Sequence, residues 1–350
     1  MKLLFFDSLF PRGHININNN YINLLQSSIE MIICARTGWF ECNKNIKYVD
    51  ANWFYPSEKK CNNFIYRLKV FSNYIKLKKI IKEVNPDIVY VASYDIVSFF
   101  LAFPFLYCFR NKIILQEHNN VDQLDNNIKS FLYSFYKNKL NHFVLEDYIK
   151  ERLIQLNVQR HLIHVVPHPL PKATEFEQDK ERLIVGLSNS NDEGVVGRVF
   201  KEYKNTNFLR DLKYKLVIKA KKLSYNDEYL RIFNGWITKE EYINYSKNSS
   251  FYIIPFSTKG YSYRVSAVLL EAISNRKFIL ASNFLLAKFY AKKYPGICQI
   301  FNEPSEIPSL IKNVNKKQYF ESRRLFVADH SDESITKAFI ASIRCILSSM

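Results

Sequence analysis

Phe251-Tyr252-Ile253-Ile254-Pro255-Phe256, Ser257-Thr258-Lys259-Gly260, Tyr261-Ser262-Tyr263-Arg264-Val265-Ser266-Ala267-Val268-Leu269-Leu270-Glu271-Ala272-Ile273-Ser274-Asn275 and Lys277-Phe278-Ile279-Leu280-Ala281-Ser282 follow one another with an ordered grammar. The first run is short and apolar, as in a buried strand. The second is a polar loop with a glycine. In the third, Val265, Val268, Leu269, Ala272 and Ile273 recur at helical spacing, which predicts a helix over about 262–275. The last is a second β-rich run. Together they predict a βαβ unit whose helix starts outside the carboxyl end of a parallel strand, where ligands bind in open α/β sheets. The free N–H groups of such a helix start attract anions. Lys259, Gly260, Arg264 and Ser266 lie at that end, and Glu271 lies about two turns in. A plain surface glutamate on a βαβ helix is the competing reading of Glu271.

The chain has 350 residues, enough for two domains. Its hydrophobic fraction of 47% supports a full core in each. A net charge of +17 and a pI near 9.4 point to an anionic partner: nucleotide phosphates, acidic lipid or nucleic acid. Charge alone supports nucleic acid, since no recognition module is legible, so none is expected. Cys34, Cys42, Cys61, Cys108, Cys298 and Cys345 lack metal or redox spacing and read as reduced thiols. Met1 to Asp7 is too short an apolar run for a signal peptide and reads as a first strand. No stretch reaches the ~20 apolar residues of a membrane span; Ile96 to Phe109 is shorter and contains Pro104. The expected location is cytoplasmic, with peripheral contact at the inner face of the membrane as an option.

In chain order, the strand Lys2 to Asp7 leads into a loop holding Pro11-Arg12-Gly13-His14, then a helix over about 20–34. Strand, glycine loop and helix in this order begin each half of a nucleotide-binding α/β fold; Gly13 and His14 lie in that loop, for which a plain connection is the competing reading. Phe64 to Val84 reads as a long helix with Arg67, Lys69, Lys76, Lys78, Lys79 and Lys82 among aromatic residues. Such a helix lies on an anionic membrane surface or packs one face on a sheet with the other solvated. Lys112 to Gln116 is a strand ending at Glu117-His118. Both side chains are candidate catalytic groups, because a neutral imidazole can accept or orient a proton; a structural hydrogen bond is the alternative for His118. His161, His164 and His168 lie on a β-like segment ending in proline and do not share a face, so no metal site is expected there.

After a polar linker over 171–181, Arg182 to Leu187 begins a second α/β set with a polar loop, Ser188-Asn189-Ser190-Asn191, and a helix from about Asp192. Tyr214 to Lys222 is a strand followed by lysines, of which Lys219 and Lys221 could bind phosphate. Arg231 to Ile237 contains Gly235 and Trp236, and Thr238 with Glu241 predicts a capping box on the next helix. Ser331 to Ile346 reads as a terminal helix.

The run Tyr263-Arg264-Val265-Ser266-Ala267-Val268-Leu269-Leu270-Glu271 resembles the donor-nucleotide motif of GT-B glycosyltransferases, especially family 4 and the bacterial surface-polysaccharide type. Asn85-Pro86-Asp87-Ile88-Val89-Tyr90 and Val166-Pro167-His168-Pro169 are similar to phrases of the same proteins. The first glutamate of the family motif would fall at Tyr263 and is absent; the Gly-Arg and lysine of its diphosphate loop are absent from 188–191.

The resemblance implies an α/β GT-B architecture, with two Rossmann-like domains facing a central cleft. The boundaries are 1–170 on the acceptor side, a linker over 171–181, a nucleotide-sugar domain over 182–330, and a helix over 331–350 crossing back to the first domain. It implies transfer of a sugar from a UDP- or GDP-sugar donor to a glycan or lipid-linked acceptor in surface polysaccharide synthesis. Glu271 would hold the ribose hydroxyls, and Gly235 and Trp236 would flank the base. Gly13 and His14 would touch the acceptor, and His118 and Glu117 would sit near the sugar. No Asp-x-Asp motif occurs, so neither a metal nor a cofactor is expected, and Arg264 with the lysines would stabilise the leaving diphosphate. The alternative is a catalytically inactive GT-B scaffold that binds a partner or a membrane surface.

Overall fold

The computed structural model describes residues 1–7, 9, 14–40, 46–51, 63–173, 182–257 and 261–350. Gly13, Lys259, Gly260, Cys42, Cys61 and most of the expected linker lie outside them. Two compact units are present: Met1–Pro169 together with His330–Met350, and Leu170–Asp329.

The first unit is built on β1 (Lys2–Asp7), β2 (Glu30–Ala35), β3 (Lys47–Asp50), β4 (Ile88–Ser93), β5 (Ile113–Glu117), β6 (Asn141–Val144) and β7 (Ile163–Val165). They pair in the order β3-β2-β1-β4-β5-β6-β7, all parallel. Order reverses between β1 and β4, the two places a doubly wound chain steps away in opposite directions. The strands are continuous apolar runs, such as Leu3-Leu4-Phe5-Phe6 and Ile88-Val89-Tyr90-Val91, because helices cover both faces. The expected helix over 20–34 is instead a helix over Ile15–Leu25 followed by β2. Met31-Ile32-Ile33-Cys34 is buried as a strand.

The second unit holds β8 (Leu183–Gly186), β9 (Lys215–Lys219), β10 (Tyr225–Asn226), β11 (Leu230–Phe233), β12 (Phe251–Ile254), β13 (Phe278–Ser282) and β14 (Gln299–Phe301). Their order is β10-β11-β9-β8-β12-β13-β14, parallel except for the β10–β11 pair. Here the reversal lies between β8 and β12. Gly186 ends β8 at that point. A Cβ there would stand 2.8 Å from Ile253 Cγ2 and 3.1 Å from the Ile253 carbonyl, so glycine lets β8 and β12 approach. One core cluster gathers Val195, Val196 and Val199 of the following helix with Leu216, Ile218, Ile253 and Leu280 of the sheet.

The opening βαβ unit is present as β12, the helix Ala267–Ser274 and β13, but its helix is shorter than expected. Ser266 has extended backbone and accepts a hydrogen bond from the Leu269 N–H, so it is the N-cap and Arg264 lies in the preceding loop. Glu271 is therefore about one turn in, not two.

Candidate functional site

In the second unit, two cavities open at the carboxyl ends of β8, β9, β11 and β12. One, of about 240 Å³, is lined by Ser188, Asn189, Asn191, Lys219, Lys221, Gly235 and Trp236 among others. The other, also about 240 Å³, is lined by Asn189, Ser190, Asp192, Lys221, Ser257, Tyr261 and Arg264. Asn189 and Lys221 belong to both, so the two are one elongated site.

The walls are set by identifiable bonds. Asn191 Nδ2 donates to the carbonyls of Gly186 at 2.7 Å and Lys219 at 2.8 Å, which ties the ends of β8 and β9 together. Its Oδ1 is buried and has no protein partner. Asp192 caps the helix Glu193–Thr206 by accepting from the Val195 N–H at 3.0 Å. Glu193 accepts from the backbone N–H groups of Lys221, Lys222 and Leu223 at 2.6–3.1 Å, which fixes the lysine loop. Burial would raise the Glu193 pKa, but those three donors and the Lys221 charge bring it below the usual range. Lys219 Nζ sits 4.1 Å from the centroid of the Trp236 indole, a cation–π contact. Partial burial lowers the Lys219 pKa. Trp236 is 85% exposed, an open aromatic face beside a cation. Arg264 lies 5.0 Å over the ring of Tyr261, which stacks on Phe256 and donates to the Val265 carbonyl. Lys219, Lys221 and Arg264 thus surround a polar site with one carboxylate, Asp192, in its lining. Such a charge balance suits a multiply charged anion.

Ser266 and Glu271 line neither cavity. The Ser266 hydroxyl is spent on its cap. Glu271 accepts three hydroxyl hydrogen bonds: Tyr242 at 2.7 Å, Tyr252 at 3.0 Å and Ser246 at 3.1 Å. It anchors the capped helix Lys239–Asn248 to β12 and its own helix. Burial, then the Glu271 charge, push the Tyr242 and Tyr252 pKa values up, so both hydroxyls remain donors. The expected capping box is present, with both Thr238 and Glu241 bonds made.

In the first unit, a cavity of about 250 Å³ lies at the carboxyl ends of β1, β4 and β5, lined by His14, Ser93, Tyr94, Gln116, His118 and Asn120 among others. The His14 and His118 rings are 4.2 Å apart. His118 Nε2 and His14 Nδ1 are buried without a hydrogen-bond partner. Burial lowers the His14 pKa to about 4. His118 is lowered well below the usual range by burial and then by His14 and His168. Both rings are therefore neutral at pH 7 and able to accept a hydrogen bond from a hydroxyl. A pKa this far below 7 makes them weak bases, so they suit orienting an acceptor better than deprotonating it.

Glu117, the other expected catalytic group, is not at this cavity. It is fully buried behind the cavity wall, where it accepts from Tyr94 at 2.8 Å and Tyr133 at 3.2 Å and meets His142 Nδ1 at 2.9 Å. Successive residues of an extended chain point to opposite faces, so Glu117, the last residue of β5, and His118, the first after it, do not enter one site. Sequence reasoning missed Asn189, Asn191 and Asp192, whose signal was the polar loop after β8, and Tyr94 and Asn120 beside His118. Among the described residues, no group of three His, Cys, Asp or Glu side chains could hold a metal ion.

No family model and no curated protein sequence match the chain. Solved structures do. A glycosyltransferase from Rickettsia africae is 15% identical, with TM-score 0.64, and the match covers 100% of this chain and 99% of that one. The lipopolysaccharide outer core galactosyltransferase WaaB is 18% identical over 100% of both chains, with TM-score 0.61. The Anabaena protein HepE, solved with UDP and glucose, is 10% identical over 100% of this chain and 99% of that one, also with TM-score 0.61. The fold is that of GT-B glycosyltransferases.

Each Rossmann-like unit of this GT-B fold carries its cavity at its topological switch point. The cationic cavity belongs to the second unit and the histidine cavity to the first.

Proposed function

We propose that this GT-B protein transfers a sugar from a UDP- or GDP-sugar to a hydroxyl of a glycan or lipid-linked acceptor, in the synthesis of a surface polysaccharide. One observation carries the reading: Lys219, Lys221 and Arg264 converge on an elongated cavity flanked by the exposed Trp236 at the second switch point. A nucleoside diphosphate has the same layout, an aromatic base at one end and two negative phosphates at the other. Trp236 and Gly235 take the base and Arg264 with Lys221 takes the phosphates. HepE, a structural neighbour, is solved with UDP and glucose.

As the bond from sugar to diphosphate breaks, negative charge grows on the leaving oxygen. Arg264 and Lys221 stabilise that charge without reorganising. One of the neutral rings of the first unit, His14 or His118, accepts the hydrogen bond that the acceptor hydroxyl donates and orients its oxygen for attack; as the new C–O bond forms and the bond to diphosphate breaks, the hydroxyl proton passes to the released diphosphate. The reading includes turnover without a divalent metal, the cations supplying the counter-charge.

Calorimetry with UDP and GDP tests the donor site directly. One of them is expected to bind, Arg264→Gln to weaken it about ten- to hundredfold through loss of a charge-assisted bond, and Trp236→Ala to weaken it through loss of stacking. An inert scaffold binds neither nucleotide. Activity retained in EDTA is expected; loss with rescue by Mg²⁺ or Mn²⁺ overturns the metal-free part alone.

A further inference from the structure

In the first unit, three helices carry apolar side chains on their outer surfaces. On the helix Asn63–Val84, Phe64 is 67% exposed, and Ile65 and Leu68 are exposed beside it. On the helix Ile96–Leu106, Leu101 and Phe105 are exposed one turn apart. On the helix Asn127–Ser134 and the residue that ends it, Ile128 is 70% and Phe131 62% exposed, with Phe135 exposed next to them. The three sets adjoin. Phe71 and Phe105 are in edge contact at 5.9 Å, and Phe100 and Phe135 at 5.2 Å. Phe131 packs against Phe135 at 5.1 Å. Side chains spaced at 64/68/71, 101/105 and 128/131/135 lie on one face of each helix, so the apolar surface runs across all three. Single exposed apolar residues are ordinary, but a contiguous patch on one side of a unit marks an interaction site.

The charge around the patch selects the partner. The helix Asn63–Val84 carries six Lys or Arg residues and one acidic residue, Glu83, which pairs with Lys79 at 3.7 Å, and residues 96–112 and 126–145 contain two and three Lys or Arg residues and no Asp or Glu. Lys69, Lys76, Lys79, Lys82 and Lys139 are exposed. Lys139 lies 5.7 Å and Arg110 4.4 Å from the Tyr107 ring, so aromatic and cationic groups alternate at the rim. Apolar anchors of one to two turns with a mainly cationic border fit the interface of an anionic bilayer: the rings enter the acyl boundary and the cations meet the headgroups. None of the described helices is long and apolar enough to cross a membrane, and the helix Ile96–Leu106 has 11 residues, so the contact is in-plane.

We propose that the face formed by the helices Asn63–Val84, Ile96–Leu106 and Asn127–Ser134 docks this protein on an anionic lipid bilayer, with Phe64, Phe105, Ile128 and Phe131 inserted. This does not rest on the transferase reading, and no nucleotide is needed to test it. The full chain is co-sedimented with vesicles of phosphatidylcholine alone and with vesicles containing phosphatidylglycerol, at low and high salt. Binding is expected to the anionic vesicles, weakening with salt. The variant Ile128→Ser/Phe131→Ser is expected to lower the partition coefficient about tenfold, as loss of apolar burial requires. Lys69→Glu/Lys139→Glu is expected to lower it about as much and to flatten the salt dependence. Unchanged circular dichroism and melting show that each variant folds; these side chains are exposed, so little packing is lost. Equal pelleting on neutral and anionic vesicles overturns the proposal, as does anionic binding that Ile128→Ser/Phe131→Ser leaves intact. A sedimentation mass of two chains that falls to one in that variant also overturns it, because a second copy would then cover the face.

Discussion

Glu271 shows how a residue can be found by sequence and yet be engaged differently from its expectation. The run it sits in resembles a motif whose glutamate holds ribose, but three hydroxyls already donate to Glu271. A carboxylate offers about four acceptor positions, and a carboxamide offers two. Glu271→Gln must therefore leave at least one of Tyr242, Ser246 and Tyr252 poorly paired. The expected loss is about 1–3 kcal/mol of second-unit stability, seen as a lower melting temperature, with nucleotide affinity changed less than by Arg264→Gln. Unchanged melting with a tenfold or larger loss of affinity would place the carboxylate on the ribose instead. Glu117 carries a related lesson. Burial and then the Glu117 charge raise the pKa values of Tyr94 and Tyr133 well above the usual range, so the cluster is a set of donors holding one buried carboxylate. His118, its neighbour in sequence, is the residue that faces the cavity.

At the scale of elements, the two switch points explain why the cavities are where they are, and Gly186 makes one of them possible. Gly186→Ala puts a Cβ against Ile253 Cγ2 and, less easily relieved, near the Ile253 carbonyl. Overpacking of this kind costs about 1–3 kcal/mol. The predicted result is a lower second-unit melting temperature and weaker nucleotide binding, since displacement of β8 also moves Asn191 and its bond to the Lys219 carbonyl. A variant that melts like the parent would show that β8 and β12 do not need this approach. Much of this layer was legible from sequence. The strand Lys2–Asp7, the helix start at Asp192 and the Thr238–Glu241 capping box follow from patterns with a period or a cap. Met31-Ile32-Ile33-Cys34 did not, because a short apolar run has no period of its own and merges into a preceding helix. The start of the 267–274 helix was placed early because Val265 fits the helical spacing, whereas the Ser266 cap decides the boundary. The cavity-lining Asn189 and Asn191 stayed hidden for a different reason. A polar loop carries no periodic signal, and only pairing of β8 with β9 and β12 shows what it faces.

Across the whole molecule, titration is divided unevenly between the two units. All seven histidines lie in 1–169 or at His330, and none in 170–329. His14, His164 and His168 each have pKa values lowered to about 4, and His118 is lowered well below the usual range; burial is the main cause in each. In the unfolded chain these groups titrate near ~6.5. Between the two values the unfolded state binds more protons, so stability rises with pH there. The contribution of a lowered histidine is fully present above about pH 6.5 and is lost as pH falls towards about 4, at up to ~1.4 kcal/mol per pH unit for each. In the second unit, Glu193 and Asp227 have lowered carboxyl pKa values, so their contribution is lost only at lower pH, through the carboxylate range. Acidification from pH 7.5 to 5 is therefore expected to destabilise the first unit selectively. Chains of two units need not melt in one step. Scanning calorimetry at pH 5 is expected to resolve two transitions, the lower one absent from an isolated upward shift when saturating UDP or GDP is added. The nucleotide should raise the other, by about 2.7 kcal/mol of stability at a hundredfold excess over Kd. His118→Asn, which removes a group forced to stay neutral, should make the lower transition less sensitive to acid. Transitions that move together with pH and with nucleotide would show that the two units unfold as one body, and an acid-insensitive lower transition would show that these histidines are not held neutral.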